Sequence, residues 1–181
     1  MTVSEQQPPA IRPIGYAAGD LLIRSGHIVR TAHRSLCAGR RAAGERRPMA
    51  TVFTRIITGE LPGRFVYTDD QVVAFLSIMP LNPGHTLVVP RQEVDQWTDA
   101  DGPLLRHCMD VAQRIGNAAK EAFGAPRAGL VIAGLEVPHL HVHVFPAWSL
   151  EDFSFARAKP ASDEDLDQAA AQLRAALGTG S

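Results

Sequence analysis

Apolar residues recur along the chain at spacings that change from one segment to the next. From residue 51 a short helix is predicted, because its apolar positions share one face and Gly59 and Pro62 close it. Two β-rich runs, 65–67 and 72–76, flank an Asp–Asp pair and predict a hairpin. The apolar residues on the predicted helix face are Val52, Phe53, Ile56 and Ile57.

The middle of the chain contains the clearest helical pattern. Apolar residues at spacings of three and four predict a helix over 103–123, and Gly124 supplies its stop. Continuous apolar runs at 85–90 and 128–134 predict two strands whose faces are both covered. These runs place strands on both sides of the long helix in the chain order.

Two further elements complete the pattern. Strict alternation in "HLHVHVF", residues 139–145, predicts a strand. A terminal helix is predicted over 163–177, because Ser162 is a suitable N-cap and acids fill the first turn. Strands and helices are segregated and strand connections are short. The order therefore predicts an α+β fold, with a mainly antiparallel sheet of about five strands, one long helix and a C-terminal helix.

Charge divides the chain into two parts. Residues 1–48 carry eight Arg, no Lys and three acids, whereas residues 49–181 carry ten basic and sixteen acidic residues. The first part has little patterned apolar surface to offset the entropy of ordering it. We therefore expect an Arg-rich extension at 1–48, either disordered or upstream of a native start at Met49. The domain is predicted over 49–181, with a helical tail from about 150. An Arg-rich targeting peptide and a basic arm for nucleic acid are the alternatives for 1–48.

The overall composition removes several classes of function. The formal net charge is -1, so no global attraction to nucleic acid or to a membrane is expected. No apolar run approaches the length of a membrane span. Cys37 and Cys108 form neither a disulfide framework nor a CxxC metal motif, which favours a cytoplasmic location.

Three of the seven histidines lie within five positions, at His139, His141 and His143. Alternate residues of a strand point to the same side, so the three rings are expected to line one face. At about 3.3 Å per residue the first and last are roughly 13 Å apart. One ion with Zn–N bonds of about 2.0 Å cannot bind all three unless the strand bends.

Three interpretations remain open for this histidine cluster. It is an exposed polar face, a metal site that uses one HxH pair with Glu136, or a phosphate site. Imidazole is a competent nucleophile toward phosphorus. Because the pKa of histidine is about 6.5, one neutral ring can attack while protonated neighbours donate to phosphate oxygens.

The sequence at this point resembles the histidine triad (HIT) family of nucleotide-binding hydrolases and transferases. "HLHVHVF" fits the pattern of alternating histidines, and "VFTRIITGELPGRFVYTDDQVVAFLSIMPLNPGHTLVVPR" is similar to the N-terminal half of the bacterial, Hint-like branch. The likeness extends from about Thr51 to Trp148. It implies an antiparallel sheet, a homodimer formed through the helix at 103–123 and a nucleotide substrate. We expect no cofactor and no metal.

The resemblance also implies roles for individual residues. His141 would be the nucleophile that attacks the α-phosphorus and forms a nucleotidyl–histidine intermediate. His139 would support it through a backbone carbonyl, His143 would donate to a phosphate oxygen, and His85 would lie beside the triad. Four residues match the base and ribose pocket, with core packing as the alternative role: Phe53, Ile56, Phe75 and Ile78.

Three departures from the family pattern alter the substrate-binding residues. Ser77 stands where an acid usually holds the ribose hydroxyls, and no Asn follows the penultimate strand. The loop before the triad is short and reads Gly134–Leu135–Glu136, where the family has a neutral partner for the phosphate. A carboxylate repels phosphate unless it is protonated or turned away. Backbone N–H groups from Gly134 onward remain available to the phosphate.

We therefore expect a nucleotidyl hydrolase or transferase, of the phosphoramidase or dinucleotide hydrolase type, whose substrate differs from ordinary adenosine phosphoramidates. A non-catalytic dimer that binds nucleotides or partners is the second hypothesis, motivated by Ser77 and Glu136. A divalent-metal protein is the third. Trp148 is a further candidate for specificity, because the resemblance places the tail after the triad near the site.

Overall fold

The computed structural model describes residues 50–178, so the predicted extension at 1–48 lies outside the described residues. The helices are α1 (Val52–Ile57), α2 (Gly102–Phe123) and α3 (Asp163–Leu177). The strands are β1 (Phe65–Thr68), β2 (Val72–Leu76), β3 (Thr86–Pro90), β4 (Arg127–Val131) and β5 (Val142–Ala147). Two short 3-10 helices, Leu150–Phe153 and Phe155–Arg157, connect β5 to α3.

The five strands form one sheet in the order β1-β2-β3-β5-β4. Every neighbouring pair is antiparallel. Phe75 of β2 is opposite Leu87 of β3, and Leu87 is in turn opposite His143 of β5. The predicted α+β fold with an antiparallel sheet is confirmed, and its register places the histidine segment beside the centre of the sheet.

Helices α2 and α3 cover one face of the sheet. The side chain of Asp101 accepts the N–H of Leu104 at 2.7 Å and begins α2, and Gly124 ends it with φ 62°. Substituting a side chain for hydrogen at that left-handed position is unfavourable, which explains the glycine stop. The buried side chains of this helix face are Leu104, Cys108, Val111, Ala112, Ile115, Ala118 and Ala119.

The opposite face of the sheet has a smaller apolar cluster. Phe53 of α1 packs against it, and the other buried members are Val73, Phe75, Leu87 and Val89. The Phe53 and Phe75 ring centroids are 5.8 Å apart. Helix α1 has only six residues, so its position depends on this packing and on its N-cap rather than on intrinsic helix stability.

The structure corrects three sequence-based expectations about these elements. Strand β4 was expected to be buried on both faces, but it is the sheet edge beyond β5 and Leu130 is 40% exposed. Val52 was expected on the buried face of α1 and is exposed. The ladder of β5 begins at Val142, so His139 and His141 precede the strand instead of lying within it. Hydrophobic pattern alone does not show which strand ends a sheet or where pairing begins.

The loop before β3 requires glycine at one position. Gly84 has φ +87°, and a Cβ added there would be 2.2 Å from the ring of Phe123. The glycine thus lets the chain pass close to the end of α2 immediately before His85.

The turn of the β1–β2 hairpin is tied to α2 by Asp69. Its carboxylate accepts hydrogen bonds from the Tyr67 hydroxyl and the Val72 N–H, both at 2.7 Å, and from His107 Nε2 at 2.8 Å. Burial acts to raise the pKa of Asp69, but these hydrogen bonds outweigh it and hold the pKa well below its usual range. Within residues 50–178, no helix is both long and apolar enough to cross a membrane.

Candidate active site

His141 presents one free ring nitrogen. Its Nδ1 is 2.7 Å from the carbonyl oxygen of His139, and a carbonyl can only accept, so Nδ1 carries the proton. Nε2 is left with an unprotonated lone pair. Burial lowers the pKa of His141 more than the bond to the His139 carbonyl raises it. The ring is therefore neutral at neutral pH, with a nucleophilic nitrogen available to a ligand.

His85 and His143 form a chain of hydrogen bonds with a fixed direction. The N–H of Leu81 donates to His85 Nδ1 at 3.0 Å, so the proton of a neutral His85 is on Nε2. That Nε2–H donates to His143 Nδ1 at 3.0 Å, which places the proton of His143 on its own Nε2. His143 therefore offers an N–H donor on the side away from His85.

The rings of His85 and His143 are both neutral at pH 7. Burial lowers the pKa of His85 to about 3 and that of His143 to about 4, and each is lowered further by a neighbouring imidazole of the cluster. The sequence suggested protonated rings as phosphate donors. The structure corrects that expectation, because buried imidazoles this close to one another favour the uncharged form.

His139 lies behind the other two histidines. Its ring is fully buried, with Nε2 2.8 Å from the carbonyl oxygen of Pro90 and Nδ1 2.8 Å from the hydroxyl of Thr51. Both ring nitrogens are thus occupied by protein groups. The sequence predicted that this ring lines one face with those of His141 and His143 and takes part in substrate binding, but in this conformation it has no surface for a ligand. Its carbonyl, which orients His141, is the contribution that remains.

The three triad rings stay on one side of the sheet although only His143 is in the β5 ladder. The ring centroids of His141 and His143 are 4.8 Å apart, and those of His85 and His143 are 5.2 Å apart. Phe53 contacts both His141, at 4.9 Å, and His139, at 5.9 Å. The structure therefore brings all four predicted histidines together, with Phe53 packed against two of them.

The four apolar residues of the predicted nucleotide pocket differ in exposure. Phe53 is 7% exposed and Phe75 is 2% exposed, so packing accounts for most of their surface. Ile56 is half-buried, whereas Ile78 is 68% exposed. Only the two isoleucines retain substantial surface for a base or ribose, and Ile56 packs against the cluster that contains Phe53 and Phe75.

Ser77 lies beside His85 at the end of β2. Its N–H donates to the carbonyl of His85 at 2.9 Å, and its hydroxyl oxygen accepts the N–H of Met79 at 3.2 Å. Ser77 and His85 line a cleft of about 570 Å³, together with Arg157 and Lys159 of the segment after β5. The hydroxyl can still donate one hydrogen bond into this cleft, which is weaker than the two acceptors of a carboxylate.

The short loop before the triad borders His141 directly. Gly134 has φ 66°, and it lines a cavity of about 170 Å³ together with Leu135 and His141. Glu136 is exposed, so its carboxylate is turned toward solvent rather than buried against the site. Its charge acts to raise the pKa of His141, but burial of the ring has the larger, opposite effect.

Several residues near the triad were missed by sequence reasoning. Asp95 and Trp97, in the loop between β3 and α2, line the small cavity at His141. Among the described residues after β5, Phe155 is the one whose ring contacts His143, at 4.9 Å, and not Trp148. Hydrophobic periodicity gives no signal for such loop residues. The Thr51 N-cap of α1 was also missed, although a threonine before an apolar helix is a recognisable cap signal.

The donor set does not favour a metal ion shared by the triad. His139 and His85 have both ring nitrogens occupied, which leaves only the Nε2 atoms of His141 and His143. A catalytic zinc site needs about three protein ligands. Over residues 50–178, no group of three or more His, Cys, Asp or Glu side chains is placed to hold a metal ion.

Comparison with known proteins agrees with this geometry. The HIT domain model matches residues 58–149. A HIT-like protein of Borreliella burgdorferi is 38% identical over 113 residues, covering 59% of this chain and 81% of that protein. A crystal structure of a HIT-like protein from Bartonella henselae is 34% identical with a TM-score of 0.62, covering 70% of this chain and 95% of the other.

A zinc-bound histidine triad family protein from Mycobacterium smegmatis is similar as well. It is 32% identical with a TM-score of 0.63, and the match covers 72% of this chain and 94% of the other. The chain thus matches these proteins over most of their own length. A HIT domain supports a function as a nucleotide-binding hydrolase or transferase in general. From the domain match, the relatives and the shared fold together, the chain belongs to the HIT family.

Proposed function

We propose that this protein is a nucleotidyl hydrolase or transferase that uses His141 as its nucleophile. The observation that carries the proposal is the hydrogen bond from His141 Nδ1–H to the His139 carbonyl, because it leaves the lone pair on Nε2. A nucleophile must be unprotonated, and here the backbone rather than a titrating side chain fixes the tautomer.

The proposed reaction has two displacements at phosphorus. His141 Nε2 attacks the α-phosphorus, the bond from phosphorus to the leaving group breaks, and that group departs with the bonding electrons and takes a proton from solvent. Water then attacks the phosphorus, the P–N bond breaks, and a nucleoside monophosphate leaves while a proton passes to solvent. The ring of His141 ends unchanged with its proton on Nδ1.

His143 is assigned to the phosphate in this scheme. Its Nε2–H is directed by the bond that Nδ1 accepts from His85, so the donor is present without a positive charge. A pre-oriented donor in a water-poor site stabilises negative charge on the phosphate oxygens as it develops. Phosphoryl transfer depends mainly on such positioning and charge stabilisation.

The nucleoside is assigned to the side of α1. Ile56 contributes partly exposed apolar surface there and packs against the cluster of Phe53 and Phe75, and we propose that the exposed Ile78 after β2 borders the same nucleoside. Ser77 is placed at the ribose, where it gives a neutral hydroxyl rather than a carboxylate. We propose that the backbone N–H groups from Gly134 onward contact the phosphate and that the exposed Glu136 stays in solvent. We propose that the chain belongs to the Hint-like branch, whose N-terminal half its sequence resembles.

The test is turnover by the native protein and a His141→Asn variant. Nucleoside 5′-phosphoramidates and dinucleoside polyphosphates with each of the four ribonucleoside bases are incubated with both, and nucleoside monophosphate is quantified by chromatography. We expect product with the native protein and none above background with the variant. Full turnover by the variant on every accepted substrate would contradict the proposal.

A non-catalytic binding protein is the second candidate, and it is favoured by the occupied acceptor of Ser77 and the acid at Glu136. It predicts saturable nucleotide binding with no turnover by the native protein.

A zinc protein is the third candidate, because the related Mycobacterium smegmatis structure is zinc-bound. Elemental analysis separates it: stoichiometric zinc that is lost with activity on chelation would replace the nucleophile mechanism.

We also propose a homodimer formed through α2 and the neighbouring edge strand β4. Met109 of α2 is 37% exposed and Leu130 of β4 is 40% exposed, beside a cleft of about 540 Å³ between the two elements. An edge strand with exposed apolar side chains is commonly covered by another chain. Sedimentation of Leu130→Glu should show a monomer, and an unchanged dimer would contradict this interface.

A further inference from the structure

We propose that Thr51, supported by Thr54 and Glu93, is a positioning residue for the histidine triad. Its hydroxyl holds the ring of His139 so that the His139 carbonyl meets Nδ1 of His141. The catalytic consequence rests on the proposed function of His141. The structural part, that Thr51 determines where the proton of His141 resides, stands independently of any reaction.

The direction of the bonds around His139 follows from its partners. The Pro90 carbonyl can only accept, and it lies 2.8 Å from Nε2, so Nε2 carries a proton. Nδ1 is then an acceptor, and the Thr51 hydroxyl at 2.8 Å is its donor. The ring is fully buried, and an acceptor without a partner would carry a desolvation penalty there.

Thr51 is itself fixed by two further bonds. Its hydroxyl oxygen accepts the N–H of Thr54 at 3.1 Å as the N-cap of α1, and its own N–H donates to Glu93 Oε1 at 3.1 Å. The hydroxyl of Thr54 also donates to Glu93 Oε1. These donors, Thr54 first, lower the pKa of Glu93, which keeps the carboxylate ionised as an acceptor.

The histidine segment needs this support because regular strand pairing is absent at this point. The β5 ladder begins at Val142, and the segment before it is joined to the loop after β3 by one bond, from Leu140 N–H to the Val94 carbonyl. The ring bonds of His139 to Pro90 and Thr51 are therefore principal restraints on the carbonyl that His141 uses.

The hydrogen bonds of Thr51 and Glu93 also position the Phe53 ring next to His141. Thr51 and Glu93 fix the start of α1, and the second residue of that helix is Phe53, whose ring is 4.9 Å from His141. The loop after β3, the helix α1 and the nucleophile are thus connected through a single threonine. A shift of Thr51 would move both the His139 carbonyl and the Phe53 ring.

The test compares Thr51→Val with Thr51→Ser. Valine has nearly the same shape without the hydroxyl, whereas serine keeps it. Because small misplacements of reacting groups are costly, we expect Thr51→Val to lower kcat by about 10- to 100-fold with KM nearly unchanged. Thr51→Ser should restore kcat to within about threefold of the native value, since it keeps the same donor. Glu93→Ala removes the support without touching the triad and should lower kcat less, and Glu93→Gln should restore it.

The matched control lies at the other end of the same helix. The hydroxyl of Thr58 bonds to Glu60 at 3.2 Å, outside the triad. Thr58→Val should leave kcat and KM unchanged. An equal loss of kcat in Thr58→Val and Thr51→Val would show a general loss of helix order and would overturn the positioning role.

A second readout does not depend on turnover. Long-range ¹H–¹⁵N spectra report which ring nitrogen of each histidine is protonated. We expect His141 to be the Nδ1–H tautomer in the native protein and a mixture of tautomers in Thr51→Val. An unchanged His141 tautomer in Thr51→Val overturns the inference. If Thr51→Val fails to fold, the same spectra of Glu93→Ala decide the question. If the native protein turns over no nucleotide, the proposed function fails, and the spectra still decide the role of Thr51.

Discussion

The two faces of the sheet are stabilised by different interactions. Within residues 50–178, twenty buried residues form one apolar cluster on the face covered by α2 and α3, called here the helix face, and most of them are aliphatic. On the other face, called here the triad face, five buried apolar residues of the same described range form a cluster, and buried histidines fill the adjoining space. The structure of the helix face is maintained by packing volume and buried apolar area, whereas that of the triad face is maintained by the direction of individual hydrogen bonds.

This difference separates stability from chemistry within one sheet. Apolar packing is non-directional, so many substitutions of similar volume preserve it. A buried imidazole works only when each nitrogen meets a partner of the right kind. We therefore expect variants on the helix face to change mainly the free energy of unfolding, and variants on the triad face to change activity more than stability.

The largest effect is expected for His141→Asn on the triad face. The variant removes the proposed nucleophile, and turnover should fall by at least about 1,000-fold, as when other catalytic nucleophiles are removed. The free energy of unfolding should change less than turnover does, because the ring makes one hydrogen bond among the described contacts and otherwise packs against Phe53 and His143. Initial rates and urea unfolding of the same preparation measure both quantities. A large loss of stability with retained turnover would reverse the comparison.

On the helix face, Ile115→Ala is expected to have the opposite profile. Ile115 is fully buried in the apolar cluster, and removing its branched chain should cost about 2–5 kcal/mol of unfolding free energy. The fraction that remains folded should keep the native kcat/KM. Chemical denaturation followed by assays well below the midpoint checks this. A specific loss of kcat in fully folded Ile115→Ala would show that the two faces are coupled.

Acid should first lower the free energy of unfolding through the buried histidines of the triad face. The folded-state pKa values of His85 and His143 are about 3 and about 4, below the value of about 6.5 expected in the unfolded chain. Between these values the unfolded chain binds more protons, so stability is complete above pH 6.5 and falls as the pH is lowered toward 4. For His85 alone the loss from pH 7 to pH 5 is about 2 kcal/mol.

Unfolding free energies measured from pH 7 to pH 5 test this dependence. The native protein should lose stability steadily over that range, and His85→Asn should show a shallower slope because one buried imidazole is removed. Carboxylates such as Asp69, whose pKa is also lowered, contribute only at lower pH. Equal slopes for the two proteins would show that His85 is not buried in its neutral form.

The smallest effect is expected at Ser77, which we propose lies beside the ribose of the substrate. Ser77→Asp restores an acid, which can accept from both ribose hydroxyls where serine has one hydroxyl. We expect KM for ribonucleotide substrates to fall by about threefold to tenfold, with little change for 2′,3′-dideoxy analogues. Steady-state assays on the matched pair of substrates measure the difference. An equal change for both would place Ser77 away from the ribose.

The two faces also differ in what the sequence predicts. The periodicity of α2 and the N-cap at Ser162 anticipate the helix face closely, because packing follows hydrophobic pattern. The histidine alternation and the resemblance to the family bring His85, His139, His141 and His143 together correctly. Neither shows the tautomers, because these depend on partners distant in the chain such as Leu81 and Pro90.

Other features were beyond sequence reasoning for physical reasons. The edge position of β4 depends on which strands pair, and the hydrophobic pattern of a single strand does not show its pairing partners. Trp97 and Phe155 reach the site from loops, whose paths are set by tertiary contacts rather than by local propensity. From the sequence, Glu93 is expected to be an exposed acidic residue in a loop, and only the folded structure shows that it contacts Thr51.

The central claim is that His141 becomes covalently linked to the nucleotide. The most direct measurement mixes the native protein with a nucleoside phosphoramidate labelled at the α-phosphorus, quenches it within milliseconds and maps the label by peptide mass spectrometry at neutral or alkaline pH. We predict one acid-labile nucleotidyl group on His141, absent from His141→Asn. Turnover without any label on His141 at every quench time, or label on a different residue, would contradict the proposed mechanism.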